Sequence, residues 1–303
     1  MKILGSVIGV LLALGVLFML VGVSLGAKTG IYWDASGIHS ESGKDTKQRN
    51  FSELNLEPFV DIDLKMINCD IEFVDSNRYG FELTNNSNTD ITWSLQNGKL
   101  SITEKARSRW WSLDLGFMRN ALKNTSYAKI YLPANALLEN VCIKNVNGKV
   151  TVSELSCALV DINIISGRTW INNVAASKLV FDGVSGGVTM QNCRFDSARI
   201  NTISGDNFIS GYKTGNLSLS SISGRIDVGG ELLGNCEINI VSGDVRLQIR
   251  GNSRDYGKQF NLISGNLRID GKSYSKNYSD NIDGPNKLKV TSTSGNVAVY
   301  FVQ

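Results

Sequence analysis

Histidine is almost missing from this 303-residue chain: His39 is the only one. A serine or cysteine nucleophile activated by an imidazole base needs a histidine partner, and a solitary one in a polar stretch reads as a solvated loop residue. The His-Glu-x-x-His zinc signature and the calcium-binding nonapeptide repeat are also missing from the sequence. Cysteines number five, Cys69, Cys142, Cys157, Cys193 and Cys236, with no Cys-x-x-Cys pair among them. An odd count at irregular spacing sketches no disulfide framework, and small buried thiols are the expected state. Charge of either sign is scarce in excess: the net is +3, too small for a nucleic-acid footprint. The sequence asks for no cofactor and no metal. Beyond the N-terminal segment it also lacks the 3.6-residue periodicity of an amphipathic helix.

Glycine is what the chain has in a pattern. Gly148, Gly167, Gly186, Gly205, Gly224 and Gly243 follow one another at intervals of 19, and Gly265 and Gly295 come after longer gaps. From Gly167 onward each is preceded by serine. Counting each glycine as zero, position −5 holds Ile143, Ile162, Phe181, Ile200, Leu219, Ile238, Phe260 and Val290. Position −2 holds Val146, Ile165, Val184, Ile203, Ile222, Val241 and Ile263, and position +4 holds Val152, Ile171, Met190, Ile209, Val228, Leu247, Ile269 and Val299. Positions +2 and −7 are mostly apolar too. Period-2 alternation rich in β-branched residues specifies strands with one buried face. A fixed period near 20 residues specifies units that bury their apolar faces on each other. Hairpins packed as a sandwich would favour two-residue turns between matched strands. Recurrence of the same apolar positions in unit after unit favours stacked coils. The predicted fold is therefore all-β: a single-stranded parallel β-solenoid with rungs of about 19 residues.

Two polar columns fit such a stack. Asn163, Asn201, Asn239 and Asn261 recur at −4, where amides are expected to bond from rung to rung. Asp206, Arg225 and Asp244 recur at +1 and would alternate in charge.

The N-terminus differs in kind. Residues 3–27 form an uncharged apolar run after Lys2. As a helix it would be about 37 Å long, enough for a hydrocarbon core of about 30 Å. A cleaved signal peptide is the competing reading, but its apolar region should be shorter. The division that follows is a transmembrane anchor at 1–28, a polar tether at 29–50, an N-terminal β region and cap at 51–135 with an insertion at 104–126, and β-solenoid repeats at 136–303. With Lys2 inside, the long domain lies outside the cytoplasm, in a single-pass cell-membrane protein. Asn97-Gly98 between apolar runs marks a hairpin.

An N-terminal apolar helix, then INCDIEFVDSNRYGFEL, NGKLSIT and AKIYLPANALLENVCIKNVNGKVTV, then the reiterated SISGRIDV, VSGDVRL, ISGNLRI and TSGNVAVYF, resemble the bacterial toastrack domain, a family also labelled an adhesin-like β-strand repeat of unknown function. The resemblance spans residues 51–303. It implies a β-solenoid-like fold at bacterial membranes, often beside envelope-stress sensing systems, and no catalytic residues to carry over. The insertion after Thr103 and the loop before Lys287 depart from the family pattern.

Those two departures hold the candidate binding residues. Arg109, Trp110 and Trp111 suit a membrane interface or a partner surface, or pack as a lid. Tyr274 and Tyr278, in a polar loop over 271–286, suit an exposed binding tip. Arg246 and Arg268 share position +3 on what the sequence presents as adjacent rungs. Asp161, Asp182, Asp206, Asp227 and Asp244 fall at mostly different rung positions, so no facing carboxylate pair of a glycosidase is drawn. Residues 297–301 are expected to end the chain as an unpaired edge strand open to another copy. The reading is a non-enzymatic, membrane-anchored extracytoplasmic protein acting in adhesion, as an envelope scaffold or in stress sensing. Its partners would be an envelope protein or glycan, or itself through the terminal rung, and not nucleic acid. The alternative is a polysaccharide-binding or polysaccharide-cleaving β-helix.

Overall fold

The structure, a computed structural model, describes residues 32–34, 37–39, 48–86, 89–106 and 126–302. The apolar run at 3–27 and the Arg109, Trp110 and Trp111 group lie outside the described residues. Among the described residues, no helix is long and apolar enough to cross a membrane.

Strands follow in close succession. β1 (Tyr32–Asp34) and β2 (Gly37–His39) pair with each other alone. Next come β3 (Arg49–Leu56), β4 (Asp61–Ser76), β5 (Tyr79–Asn85), β6 (Thr89–Gln96), β7 (Lys99–Ala106) and β8 (Ser126–Pro133). The regular region holds β9 (Leu137–Asn147), β10 (Val150–Ser166), β11 (Thr169–Ser185), β12 (Val188–Gln191), β13 (Arg194–Ser204), β14 (Asn207–Ser223), β15 (Ile226–Ser242) and β16 (Val245–Arg250). A 3-10 turn at Ser253–Asp255 precedes β17 (Tyr256–Leu262), β18 (Leu267–Ile269), β19 (Lys272–Tyr274), β20 (Asn277–Asp280), β21 (Asn286–Ser294) and β22 (Val297–Val302).

Pairing in the regular region is parallel with an offset of 19. Val160 lies beside Leu179, Leu179 beside Ala198, Ala198 beside Leu217 and Leu217 beside Cys236. The Ser-Gly corners lie over one another, as the comb of glycines predicts. At Gly224 (φ +129°) a Cβ would stand 2.2 Å from the carbonyl oxygen of Gly205, one rung away. Only glycine tolerates both that dihedral and that approach. Strands β3 to β22 form one hydrogen-bonded network that returns on itself, because the longer strands bend round corners and pair on more than one face. This arrangement fits a solenoid. A second corner lies six residues after the first, where Glu154, Asn173, Asn192 and Gly211 all have φ between 52° and 60°.

Inside, each rung contributes the same positions. In the Gly167 rung Val160, Ile162, Ile164, Thr169 and Ile171 are buried, and they belong to the common core apart from Thr169. Position −3, not −2, completes the inward set, which corrects the sequence reading. Ile165, Val184, Ile203 and Ile222 at −2 are half-buried and form a separate outer strip. The inward −3 sites hold Asn145, Thr202, Ser221 and Ser292 as well as Ile164 and Ile240. Several of these polar groups are satisfied internally: Thr202 donates to Ser221 at 3.1 Å, Asn207 to Thr202 at 3.0 Å and Asn145 to the Cys69 carbonyl at 2.7 Å.

The polar columns are also corrected. At −4 only Asn201 reaches the neighbouring rung, donating to Asp182 at 2.8 Å, while Asn163 bonds Asp161 within its own strand. At +1 the acidic side chains accept backbone N–H groups from the next rung instead of pairing with arginine. Asp206 accepts from Arg225 N, and Asp244 from Asn296 N, both at 2.8 Å. The Arg225 guanidinium turns to Asp227 at 3.4 Å.

The stack is parallel in its middle and antiparallel at both ends. β4 lies beside β9 with an offset of 79 and is parallel to β7 and β8 as well. Beyond it lie β7 and β8, then antiparallel β6, β5 and β3. The β6–β7 turn is the expected Asn97-Gly98 hairpin, with φ of 51° and 71°. At the other end the chain does not finish on an edge. β21 pairs with β15 on one side and β17 on the other, and β22 with β16 and β18. The last rung is thus inserted between the Gly243 and Gly265 rungs, and Ala298 separates Arg246 from Arg268. The insertion is possible because the chain makes a 30-residue excursion between Gly265 and Gly295.

Candidate functional site

That excursion builds the clearest concavity. β19 pairs antiparallel with β18, and β20 with β17, closing the end of the stack. Tyr274 and Tyr278 come together there, ring centroids 4.6 Å apart, and both pack against the core. They are half-buried cap residues and not an exposed tip, because the loop folds back as two strands. A cavity of about 130 Å³ opens beside them, lined by Ser253, Lys258, Ile269, Asp270, Lys272 and Asp280 as well.

Lys258 gives the cavity its polarity. Its side chain is 5% exposed, yet its ammonium donates to Asp280 at 2.8 Å. The Phe301 ring lies 5.8 Å from that ammonium. The hydrogen bond and charge of Lys258 hold the Asp280 carboxyl below the ordinary carboxylate range. Burial, then the nearby Asp280 charge, pushes the Tyr278 phenol up. The Lys258 cation is already engaged. The cavity can hold a small polar group.

A second polar cluster lies on a flat face. Asp161 and Asp182 lie on neighbouring strands two residues out of register. Burial raises both carboxyls above their ordinary range, and Asp182 adds to the effect on Asp161. Each accepts an asparagine amide, and both stand on one sheet rather than across a cleft from each other. A third polar cluster is buried at the opposite end. Glu104 accepts from the Ile67 amide at 2.7 Å and from Thr89 at 2.6 Å, and Asn85 links Thr89 to Ser126. This network ties β4, β5, β6, β7 and β8 together.

A family profile for the Toastrack domain, DUF4097, matches residues 59–300. The chain belongs to the Toastrack family. The match begins just before β4 and runs into the inserted β22. A crystal structure described as a putative adhesin from Bacteroides fragilis is similar to this Toastrack chain with a TM-score of 0.51 and 14% identity, covering 84% of this chain and 97% of that one. A second putative adhesin, from Parabacteroides distasonis, gives a TM-score of 0.46 at 14% identity, over 85% and 98% of the two chains. At such identities the likeness is one of fold. A search of curated proteins returned no match.

The sequence put Tyr274 and Tyr278 in one polar loop as an exposed tip, and Lys258 and Asp280 were missed. Lys258 occupies −7, elsewhere an apolar site of the Toastrack repeat, and that break in the column was the available signal. All five cysteines are free thiols, with Cys142 and Cys157 half-buried and the others buried.

Proposed function

We propose that this Toastrack chain is a non-enzymatic display protein, held to a bacterial membrane by residues 3–27 and presenting its β stack outside the cytoplasm for adhesion or envelope scaffolding. The observation that carries the reading is the capped, uninterrupted stack itself. Twelve strands follow one another along one face, from β6 through β7, β4, β9, β10, β11, β13, β14, β15, β21 and β17 to β20. At the usual strand spacing that is a body about 50 Å long. Its flat outer faces suit contact with extended partners, and its antiparallel ends guard against open-ended stacking. The apolar run at 3–27 supports the anchor, and the similar structures described as putative adhesins favour contact over catalysis.

Fractionation and surface proteolysis test this reading. The full chain is expected in the membrane fraction, and trypsin added to intact cells, with the outer envelope permeabilised where there is one, is expected to release the domain by cutting in the tether at 29–50. Recovery of the full chain in the soluble cytosolic extract, or protection of the domain from added protease, would sink the proposal.

A further inference from the structure

One outer face carries two aromatic rings in register. Position +3 of successive rungs runs Thr151, Trp170, Thr189, Phe208, Asp227 along neighbouring strands. Trp170 and Phe208 are therefore two strands apart, about 9.6 Å, with the small Thr189 between them. Each ring has a cation on its far side. The Lys149 ammonium, from β10's edge, lies 4.7 Å from the Trp170 ring, and the Arg225 guanidinium, before β15, lies 6.0 Å from the Phe208 ring. Neither cation comes from the Thr189 rung that lies between the two rings. The floor between the rings is low. At +1 stands Gly187, where a Cβ would strike the Asp206 carbonyl oxygen at 1.7 Å, so no side chain can rise there. At +5 stands the exposed amide of Gln191, between Asn172 and Ser210.

We infer that Trp170, Thr189 and Phe208 form a slot that binds one neutral pyranose residue of a glycan. Apolar contact to each ring needs about 3.5–4.0 Å. Two such contacts leave about 2 Å for the inserted group, which suits a puckered sugar ring with C–H groups on both faces better than a flat one. The exposed Gln191 amide and Ser210 hydroxyl supply donors and acceptors for sugar hydroxyls. Charge around the slot cancels: Arg225 is paired with Asp227 at 3.4 Å, the Asp70 carboxylate accepts the Lys149 backbone N–H at 2.7 Å, and Arg168 and Asp206 flank Gly187 with opposite signs. An anionic sugar gains no net attraction there. The rest of the row offers the remainder of a chain a flat sheet to lie along.

The assignment adds a ligand class to the display reading. It is tested in solution, so failure of either leaves the other measurable. The full chain in detergent is titrated calorimetrically with cellohexaose, laminarihexaose, mannohexaose and hexagalacturonate. At least one neutral hexasaccharide is expected to bind with millimolar affinity or better. Trp170→Ala and Phe208→Ala should each weaken it about tenfold, the loss of one ring contact. Thr189→Trp, which fills the slot, should abolish binding, while Arg268→Ala on the same face should leave it unchanged. Thermal melts of each variant separate lost binding from lost folding. Binding of hexagalacturonate alone, binding of none of the four, or neutral binding insensitive to both ring substitutions in folded variants overturns the assignment.

Discussion

Alanine at the corner glycines separates the two demands that stacking makes. Gly224 combines φ of +129° with a virtual Cβ 2.2 Å from Gly205 O. A side chain there incurs backbone strain of about 1–3 kcal/mol and overpacking of about 1–3 kcal/mol as the neighbouring rung is pushed away. A total near 3 kcal/mol lowers the Tm of a domain this size by about 6–12 °C. Gly186 has no left-handed φ, but its Cβ would meet Gly167 O at 1.9 Å, so Gly186→Ala reports close approach alone. Gly271 is the reverse, with φ of +78° and nothing within 4 Å. Gly271→Ala should cost only the dihedral, about 1 kcal/mol, or about 2–4 °C. Scanning calorimetry of the three variants reads the order directly. Should Gly186→Ala melt with the wild type while Gly271→Ala falls, dihedral preference and not rung contact explains the glycine comb. Should all three melt with the wild type, the reasoning fails altogether.

Other consequences follow from named contacts. Deleting residues 286–303 removes a rung paired on both sides, so the truncated chain is expected to lose the β17–β20 cap as well as the last strands. A melt and hydrogen-exchange pattern equal to the full chain's up to residue 280 would contradict this. Asp182 carries a carboxyl raised by burial, so its stabilising proton is fully present below the unfolded value of about 3.9 and lost as pH rises through the higher folded value. Asp182→Asn should therefore raise Tm at pH 7 and leave it nearly unchanged at pH 3; a lowered Tm at pH 7 would refute the sign. Burial pushes the Cys236 thiol up to about 12 and raises those of Cys69 and Cys193 as well. None of the three should alkylate at pH 8 before unfolding, and mass spectrometry showing rapid native labelling at any of them would disprove the burial.

The glycine spacing made the parallel stack legible, since a 19-residue offset in the sequence is the same offset in the pairing. Parity at the corner was not legible. Thr202 and Ser221 point inward because they find hydrogen-bond partners there, so hydropathy selects the aliphatic −2 column that faces out. The second corner was signalled by Asn173, Asn192 and Gly211 at one offset, but Glu154 in the first rung broke the pattern. Rung order was hidden for a different reason. Gaps of 22 and 30 residues after Gly243 announce excursions but not which strand returns to the middle. In the cap, the tyrosines were visible as aromatics in a polar loop, whereas Lys258 was masked by its place in a strand. The Trp170–Phe208 slot was missed because position +3 varies from rung to rung, and only the pairing register puts two aromatics on either side of a threonine.

Placing the final strands inside the stack has a consequence for biosynthesis. A ribosome delivers β15 to β20 first, and at that stage the Gly243 rung has no partner on its open side. Its proper neighbours, β21 and β22, are made only after the excursion that follows Gly265. Early coils can wind as they emerge, but the rungs from Gly243 onward must wait for β21 and β22. A chain interrupted by a premature stop therefore leaves an open sheet edge for quality-control proteases to recognise.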